Sequence, residues 1–165
     1  MFICEVIGEY DMRMTCEQWN LLKGNKTPIK RSSFLVKPVW PRMVPYFFDE
    51  SYDSRDKSAV HAGMREIEMN SCLTFREINE TDTSVENKLK FVNTDTGCWS
   101  YVGMVRETQE IGLEKFPWGP GCRNPGTVVH EILHALGSGH EHSRTDRDSY
   151  VTDDVTVTSL STSRT

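Results

Sequence analysis

One short segment constrains the fold of this chain more than any other, the sequence HEILHALGSGH at residues 130–140. In an α-helix, residues four apart lie about 40° apart around the axis, so His130 and His134 present their imidazoles on one face. If the helix continued, His140 would point about 240° away from His134. Gly137 removes this conflict, because a glycine can adopt the left-handed conformation that ends a helix and turns the chain back. The segment therefore predicts a helix, a glycine stop and three converging histidines.

Three neutral imidazoles with an open position are typical of a catalytic zinc site rather than a closed structural one. Glu131 projects about 100° from His130 and reaches a water on the metal without being a ligand itself. Zinc lowers the pKa of that water toward about 7, and Glu131 takes its proton as general base. By chance the full motif is expected in roughly one chain of this length in 100,000. We therefore predict a Zn²⁺ site with ligands His130, His134 and His140, and Glu131 as the catalytic base.

The bulk properties fit one folded domain with a short arm. The chain has 165 residues, of which 37% are hydrophobic, and its net charge of −5 comes from scattered residues. Neither a nucleic-acid surface nor a polybasic membrane patch is expected. No apolar run approaches the roughly 20 residues of a membrane span. The sequence contains no pattern that defines an oligomeric state.

Three regions of different character divide the chain. Residues 1–31 are polar and end at the basic pair Lys30-Arg31, as expected of an arm or partial pro-segment with little core of its own. Residues 32–151 carry most of the aromatic and branched side chains and are expected to form the folded body. Residues 152–165 are almost purely Ser, Thr, Asp and Val and are expected to form a divergent tail.

The patterning of the body predicts two helices and several short strands. Helical periodicity over residues 54–70 predicts one helix, with Ser54 or Asp56 as its N-cap. A second helix is predicted to run from its N-cap Thr127 to Leu136. Alternating or short apolar segments predict strands over residues 44–48, 73–78, 89–92 and 98–103. Strands with a helix packed behind them indicate an α+β layer.

The long histidine motif is the metzincin signature, and its surroundings resemble those of the astacins. The resemblance rests on residues 40–41, 44–46, 97–103, 121–122, 126–129 and 141–151. It implies a zincin-like (metzincin) α+β catalytic domain, of which this chain holds the N-terminal half with a mixed sheet, a backing helix and the active-site helix. It also implies a secreted zinc metalloendopeptidase that hydrolyses peptide bonds in peptide or protein substrates.

The same resemblance implies roles for residues outside the motif. Glu141 would hold the new N-terminus of the activated enzyme, and Cys98 and Cys122 would form a disulfide. Cys72 matches a family cysteine whose partner is expected beyond the similar region. Residues 8–12 are similar to a pro-segment motif whose aspartate occupies the zinc in the zymogen, although Tyr10 replaces the usual glycine. Asp11 is the matching position, and the alternative is a solvated aspartate.

Two departures from the family pattern bear on activity. Ser138 stands where a bulky apolar residue is usual, so looser packing below the metal is expected. The resemblance is expected to end after Val151, before the Met-turn and a further tyrosine ligand, so little peptidase activity is expected of the chain as written. The alternatives are a catalytically inactive zinc-binding fragment or decoy of an astacin protease, and a structural domain whose histidines bind no metal.

Export is the expectation for this chain, and its two sequons favour it weakly. The sequons at Asn25 and Asn79 would accept glycans in a secreted protein. Five cysteines, an odd number, leave at least one without an intramolecular partner in an oxidising compartment. The alternative is a cytosolic protein with five free thiols. Residues 1–5 contain too short an apolar stretch for a secretory signal, which is expected to lie outside this sequence.

Overall fold

The computed structural model describes residues 5–7, 11–24, 39–115, 121–144 and 146–152. Its helices are α1 (Cys16–Gly24), α2 (Ser54–Asn70) and α3 (Pro125–Ala135). Its strands are β1 (Glu5–Ile7), β2 (Met12–Thr15), β3 (Met43–Phe48), β4 (Thr74–Glu77), β5 (Lys88–Val92), β6 (Cys98–Tyr101) and β7 (Thr108–Leu113). The strands form one mixed sheet in the order β1-β2-β6-β7-β5-β3-β4. The predicted mixed sheet with two helices in the body is confirmed.

The core lies between one face of this sheet and the pair α2 and α3. Alternate residues of the central strands point to the helices, as the period of two in a strand requires. Hydrophobic residues of both layers are fully or almost fully buried there: Val44, Tyr46, Val60, Met64, Leu89, Phe91, Ile111, Leu113, Val128 and Ile132. This packing fixes α3, and with it the histidine motif, against the sheet.

The helix α2 has the predicted length, but its N-cap is Asp53. The Asp53 carboxylate accepts a hydrogen bond from the backbone N–H of Asp56 at 2.8 Å, the geometry of an N-cap bonded to the third helical residue. Asp56 itself is buried and forms ion pairs with Arg123 and Lys115. The prediction of Ser54 or Asp56 as the cap was therefore wrong, because a carboxylate one residue earlier reaches the free N–H group.

The helix α3 begins two residues earlier than predicted, and Asn124 rather than Thr127 is its N-cap. Asn124 accepts a hydrogen bond from the backbone N–H of Thr127 at 3.0 Å, and its amide donates to the Thr127 hydroxyl at 2.8 Å. Pro125 occupies the first helical position. A backbone N–H there has no acceptor within the helix, so a proline, which has no N–H, breaks no hydrogen bond. The prediction was wrong because asparagine caps at least as well as threonine and the proline extends the helix backwards.

The predicted strands of the body are present as β3, β4, β5 and β6, with ends that shift by one or two residues. The strand β7 was not predicted, because its only large apolar residues, Ile111 and Leu113, flank a glycine. The arm also joins the sheet, since β2 pairs in parallel with β6. Its buried Met12 and Met14 form a small cluster with Val102.

The strand β1 pairs with β2 in an antiparallel manner and forms the outer edge of the sheet on the side of the arm.

Helices in the described residues are all too short or too polar to cross a lipid bilayer.

Candidate metal centre and active-site residues

The helix α3 ends as the sequence predicted, at Gly137 with a φ of 103°. The Gly137 N–H donates to the His134 carbonyl at 2.8 Å, and the Ser138 N–H donates to the Leu133 carbonyl at 2.9 Å. This pair of bonds is the Schellman stop, which needs a left-handed residue where only glycine is free of steric cost. The reversed chain brings His140 back beside the two helical histidines.

The three imidazoles meet the carboxylate of Asp11 at one centre, and the ligand atoms of the four side chains all lie within 4.8 Å of one another. The Nε2 atoms of His130 and His134 are 3.0 Å apart. The Oδ2 atom of Asp11 lies 3.0 Å from Nε2 of His130, and its Oδ1 atom lies 3.1 Å from Nε2 of His140. Donor atoms around a tetrahedral zinc with bonds of about 2.0–2.1 Å are roughly 3.3 Å apart. Three imidazole nitrogens and one carboxylate group at these separations fit a single zinc ion.

The orientation of His134 is fixed by the turn that follows α3. Its Nδ1 lies 2.7 Å from the Ser138 carbonyl oxygen, so Nδ1–H donates there and the Nε2 lone pair faces the centre. The His134 side chain is 3% exposed, and burial, the main cause, lowers the pKa of its imidazole. The neutral form that binds metal is therefore favoured. Ser138 acts here through its main chain, and looser packing at that position stays a prediction.

Glu131 lies next to the centre and is almost wholly buried, with 1% of its surface exposed. Among the described residues no group donates a hydrogen bond to its Oε2. Burial in the first place, and the nearby charge of Asp11 in the second, raise the pKa of Glu131 to about 8. A buried carboxyl oxygen without a partner is costly, and it is typical of a residue kept for proton transfer. Glu131 lines an open cleft together with Asp11 and His130.

Asp11 reaches the centre because the arm lies along the edge of the body sheet. The Ser100 N–H donates to the Asp11 carbonyl at 2.9 Å, and the Val102 N–H donates to the Arg13 carbonyl at 3.0 Å. The Asp11 side chain is 22% exposed. The structure therefore brings Asp11 to the histidines and does not leave it solvated.

The cysteines that the resemblance paired are bonded in the structure. Cys98 and Cys122 form a disulfide with Cα atoms 5.6 Å apart, and Cys72 is an exposed free thiol. Cys16 of the arm is also in a disulfide. The implied disulfide between Cys98 and Cys122 is confirmed.

Glu141 is not brought to the centre in this structure. Its side chain is largely exposed and lies 3.0 Å from the guanidinium of Arg144. Its implied role at a new N-terminus stays a prediction.

Some of the predicted features lie outside the described residues: the basic pair Lys30-Arg31, the sequon at Asn25 and the tail from residue 153. The second sequon residue, Asn79, is described and is exposed.

Two interactions that hold α3 were missed by sequence reasoning. The buried indole N–H of Trp40 donates to the carbonyl of Ala135, the last residue of the helix, at 2.8 Å. At the other end, the buried Arg123 pairs with Asp56 of α2 and donates to Asn93 at 2.9 Å. A tryptophan in an otherwise apolar segment signals a buried N–H that needs an acceptor, but it does not identify the acceptor.

A helix packs behind a mixed sheet and carries two of three converging histidines, and the third follows the glycine that ends the helix. This arrangement defines the zincin class of fold. The family model described as Astacin (Peptidase family M12A) matches residues 35–162, most of the chain. The chain belongs to the astacin family. The match continues past Val151, the residue after which the resemblance was expected to end.

Individual relatives agree with this assignment. The chain is 36% identical over 147 residues to zinc metalloproteinase nas-17 of Caenorhabditis elegans, which covers 88% of this chain and 32% of that protein. It is 32% identical over 130 residues to meprin A subunit beta of Homo sapiens, which covers 79% of this chain and 17% of that protein. This chain therefore spans about a third or less of these two relatives.

A solved structure has the same fold. High choriolytic enzyme 1, a hatching enzyme zinc-protease from Oryzias latipes, superposes with a TM-score of 0.62 at 26% identity. The superposition covers 78% of this chain and 62% of that structure. The predicted zincin-like α+β fold is confirmed.

Proposed function

We propose that this chain provides the zinc-binding part of a metalloendopeptidase catalytic domain. The observation that carries the proposal is the convergence of His130, His134 and His140 on one centre, beside the buried carboxyl of Glu131. The three imidazoles would hold zinc, which would supply a Lewis acid for the scissile carbonyl and lower the pKa of its water toward neutral. Family membership supports the same activity.

Glu131 acts as general acid and base in this proposal. It accepts a proton from the attacking water as the new C–O bond forms, and delivers that proton to the leaving amine as the C–N bond breaks. The geometry supports a substrate that approaches from the side of His130, whose side chain is 44% exposed, whereas His134 is enclosed. Peptides and proteins are the substrate class.

The arm holds the centre in a latent state. Asp11 fills the position next to the three histidines that a substrate needs, and β2 covers the edge strand β6. Cleavage behind Lys30-Arg31 is the proposed activating step. In this proposal the intact chain is a zymogen, and the Asp11 carboxylate would be a ligand of the bound zinc.

Export from the cell fits the oxidised cysteines. The Cys98–Cys122 disulfide and the disulfide at Cys16 are expected in an extracellular protein and are rare in the reducing cytosol. We therefore propose that the protein acts outside the cell.

The test of the peptidase function uses the zinc-loaded full chain after the arm is cut at residue 31, with a quenched fluorescent peptide as substrate. Because little peptidase activity is expected of the chain as written, chelator-sensitive hydrolysis is expected only at a low rate. Glu131→Gln is expected to lower kcat by about two decades or more from that rate, because glutamine keeps the shape but accepts no proton. Zinc content should be unchanged in that variant.

The matched control is Glu86→Gln, which changes the same group at an exposed position outside the centre. Near-normal hydrolysis by Glu131→Gln would contradict its role as the base. Full zinc occupancy without hydrolysis in the cut wild-type chain would favour the alternative, a zinc-binding fragment or decoy.

A further inference from the structure

The side chain of Trp99 lies on the face of the sheet that α2 and α3 do not cover. Trp99 is paired with Gly112 in β7, and the neighbours of that glycine, Ile111 and Leu113, point into the core on the opposite face. A Cβ atom added at Gly112 would lie 2.4 Å from the indole ring. The indole therefore rests against the backbone of β7 and has one free ring face.

Arg13 of the arm covers that free face. Its guanidinium carbon lies 3.3 Å from the centroid of the Trp99 ring and 6.0 Å from the centroid of Tyr101. A guanidinium stacked on an indole is the most favourable form of cation–π contact. Under the arm, Trp99 is only 7% exposed, and within the described part of the chain its buried Nε1 has no hydrogen-bond acceptor.

The position of Arg13 is fixed relative to the metal centre. The main chain of the arm bonds to β6 at Ser100 and Val102, while the Asp11 side chain reaches the histidines. Arg13 follows Asp11 by two residues, which is about 7 Å along an extended chain. Once the arm leaves, the edge of β6 and the indole of Trp99 are both free for another extended peptide.

We propose that Trp99 is a specificity subsite for a cationic side chain of the substrate, arginine or lysine, and that Arg13 fills this subsite in the latent chain. The proposal rests on the proposed peptidase function for its biological use. A substrate that adds to the edge of β6 places one side chain on the Trp99 ring at a fixed distance from the bond at the metal centre.

The binding test uses the full chain with a specific protease site in place of residues 27–31, so that the arm can be cut while every other residue is kept. Glu131→Gln in this background prevents turnover. Two labelled octapeptides copy residues 8–15 and differ only in arginine or citrulline at the position of Arg13. Citrulline keeps the shape of arginine and removes its charge. The cut arm competes equally with both peptides, so it does not alter the ratio of their affinities.

The arginine peptide is expected to bind about three- to tenfold more tightly than the citrulline peptide in fluorescence anisotropy. Trp99→Leu should lower this ratio to about one, and Trp99→Phe should give an intermediate ratio. Tyr101→Phe, which keeps its ring, should preserve the wild-type ratio. Equal affinities of the two peptides for the wild-type chain would overturn the proposal, as would a ratio that persists in Trp99→Leu.

A cleavage test separates this proposal from the peptidase function. A series of uncharged peptides carries a single arginine that moves one position at a time, and the cut wild-type chain is expected to cleave at a constant spacing from the arginine. Cleavage at a site that ignores the arginine would overturn the subsite and leave the peptidase function intact. An arginine preference in binding without any cleavage would support the subsite and contradict the peptidase function.

Discussion

The contact between Asp11 and the histidines is the residue-scale feature that most alters the chemistry of the site. The carboxylate lies 3.0 Å from His130 and 3.1 Å from His140, at ligand distance from their common centre. In the proposed latent state, this carboxylate would take the position at the zinc that a competing ligand needs. The arm would then govern access to the metal.

Asp11→Ala is expected to open the centre in the intact, zinc-loaded chain. A small hydroxamate should bind at least about tenfold more tightly to this variant, because it no longer displaces a carboxylate. Asp11→Asn should show a smaller gain, since its amide oxygen is a weaker ligand. Calorimetric titration with the hydroxamate measures both effects.

Glu17→Ala is the matched control, because it removes the same charge from an exposed position of the arm. It should leave the hydroxamate affinity at the wild-type value. If Asp11→Ala also leaves the affinity unchanged, Asp11 is not a ligand in the intact chain.

At the scale of elements, the described structure shows why local patterns predicted the histidine site and missed its supports. His130, His134 and His140 lie on a helix and the turn after it, so spacing and one glycine suffice. The Asp11–His130 contact spans 119 residues, and the Trp40–Ala135 bond spans 95. No periodicity within a segment encodes contacts at such separations, and Asp11 was suggested only by resemblance.

The capping errors have a different origin. Several residues near each helix start are able to accept a hydrogen bond from a free N–H, and the three-dimensional path of the loop decides which one does. The Asp56 carboxylate is buried in an ion pair with Arg123, and the Asp53 carboxylate accepts the hydrogen bond that caps α2. The sequence therefore predicted both helices while placing each cap at the wrong residue.

Asn124→Ala is expected to lower the free energy of unfolding by about 1 kcal/mol, because α3 loses its N-cap. Asn124→Asp should lose less, since its carboxylate still accepts from the Thr127 N–H. Urea denaturation measures both changes. Asn70→Ala, at the exposed C-terminal end of α2, is the control and should change the free energy by less than about 0.5 kcal/mol. Equal losses in Asn124→Ala and Asn70→Ala would contradict the assigned cap.

At the scale of the whole molecule, the Cys98–Cys122 disulfide joins β6, which lies between β2 and β7, to the loop that leads into α3. The two cysteines are 24 residues apart in sequence. A bridge of this span stabilises a domain by roughly 3 kcal/mol in the chain-entropy model. It also links the strand on which the arm lies to the loop before the helix that carries His130 and His134.

Replacement of both Cys98 and Cys122 by serine is expected to lower the free energy of unfolding by about 3 kcal/mol. Cys72→Ser, at the exposed free thiol, should leave it within about 0.5 kcal/mol of the wild-type value. Urea denaturation under non-reducing conditions compares the three chains. A double variant as stable as Cys72→Ser would show that the bridge does not stabilise the fold.

The proposed chemistry requires one zinc ion at the centre, and metal content measured on the dialysed chain tests this requirement most directly. We expect about one zinc per chain near pH 7.5, and a loss as the pH falls below about 6.5, because protonated imidazoles do not bind metal. Since burial lowers the pKa of His134, that ligand protonates after a solvated histidine would. The variant with both His130 and His134 replaced by alanine should retain almost none, whereas zinc held in full by that folded variant would contradict the account.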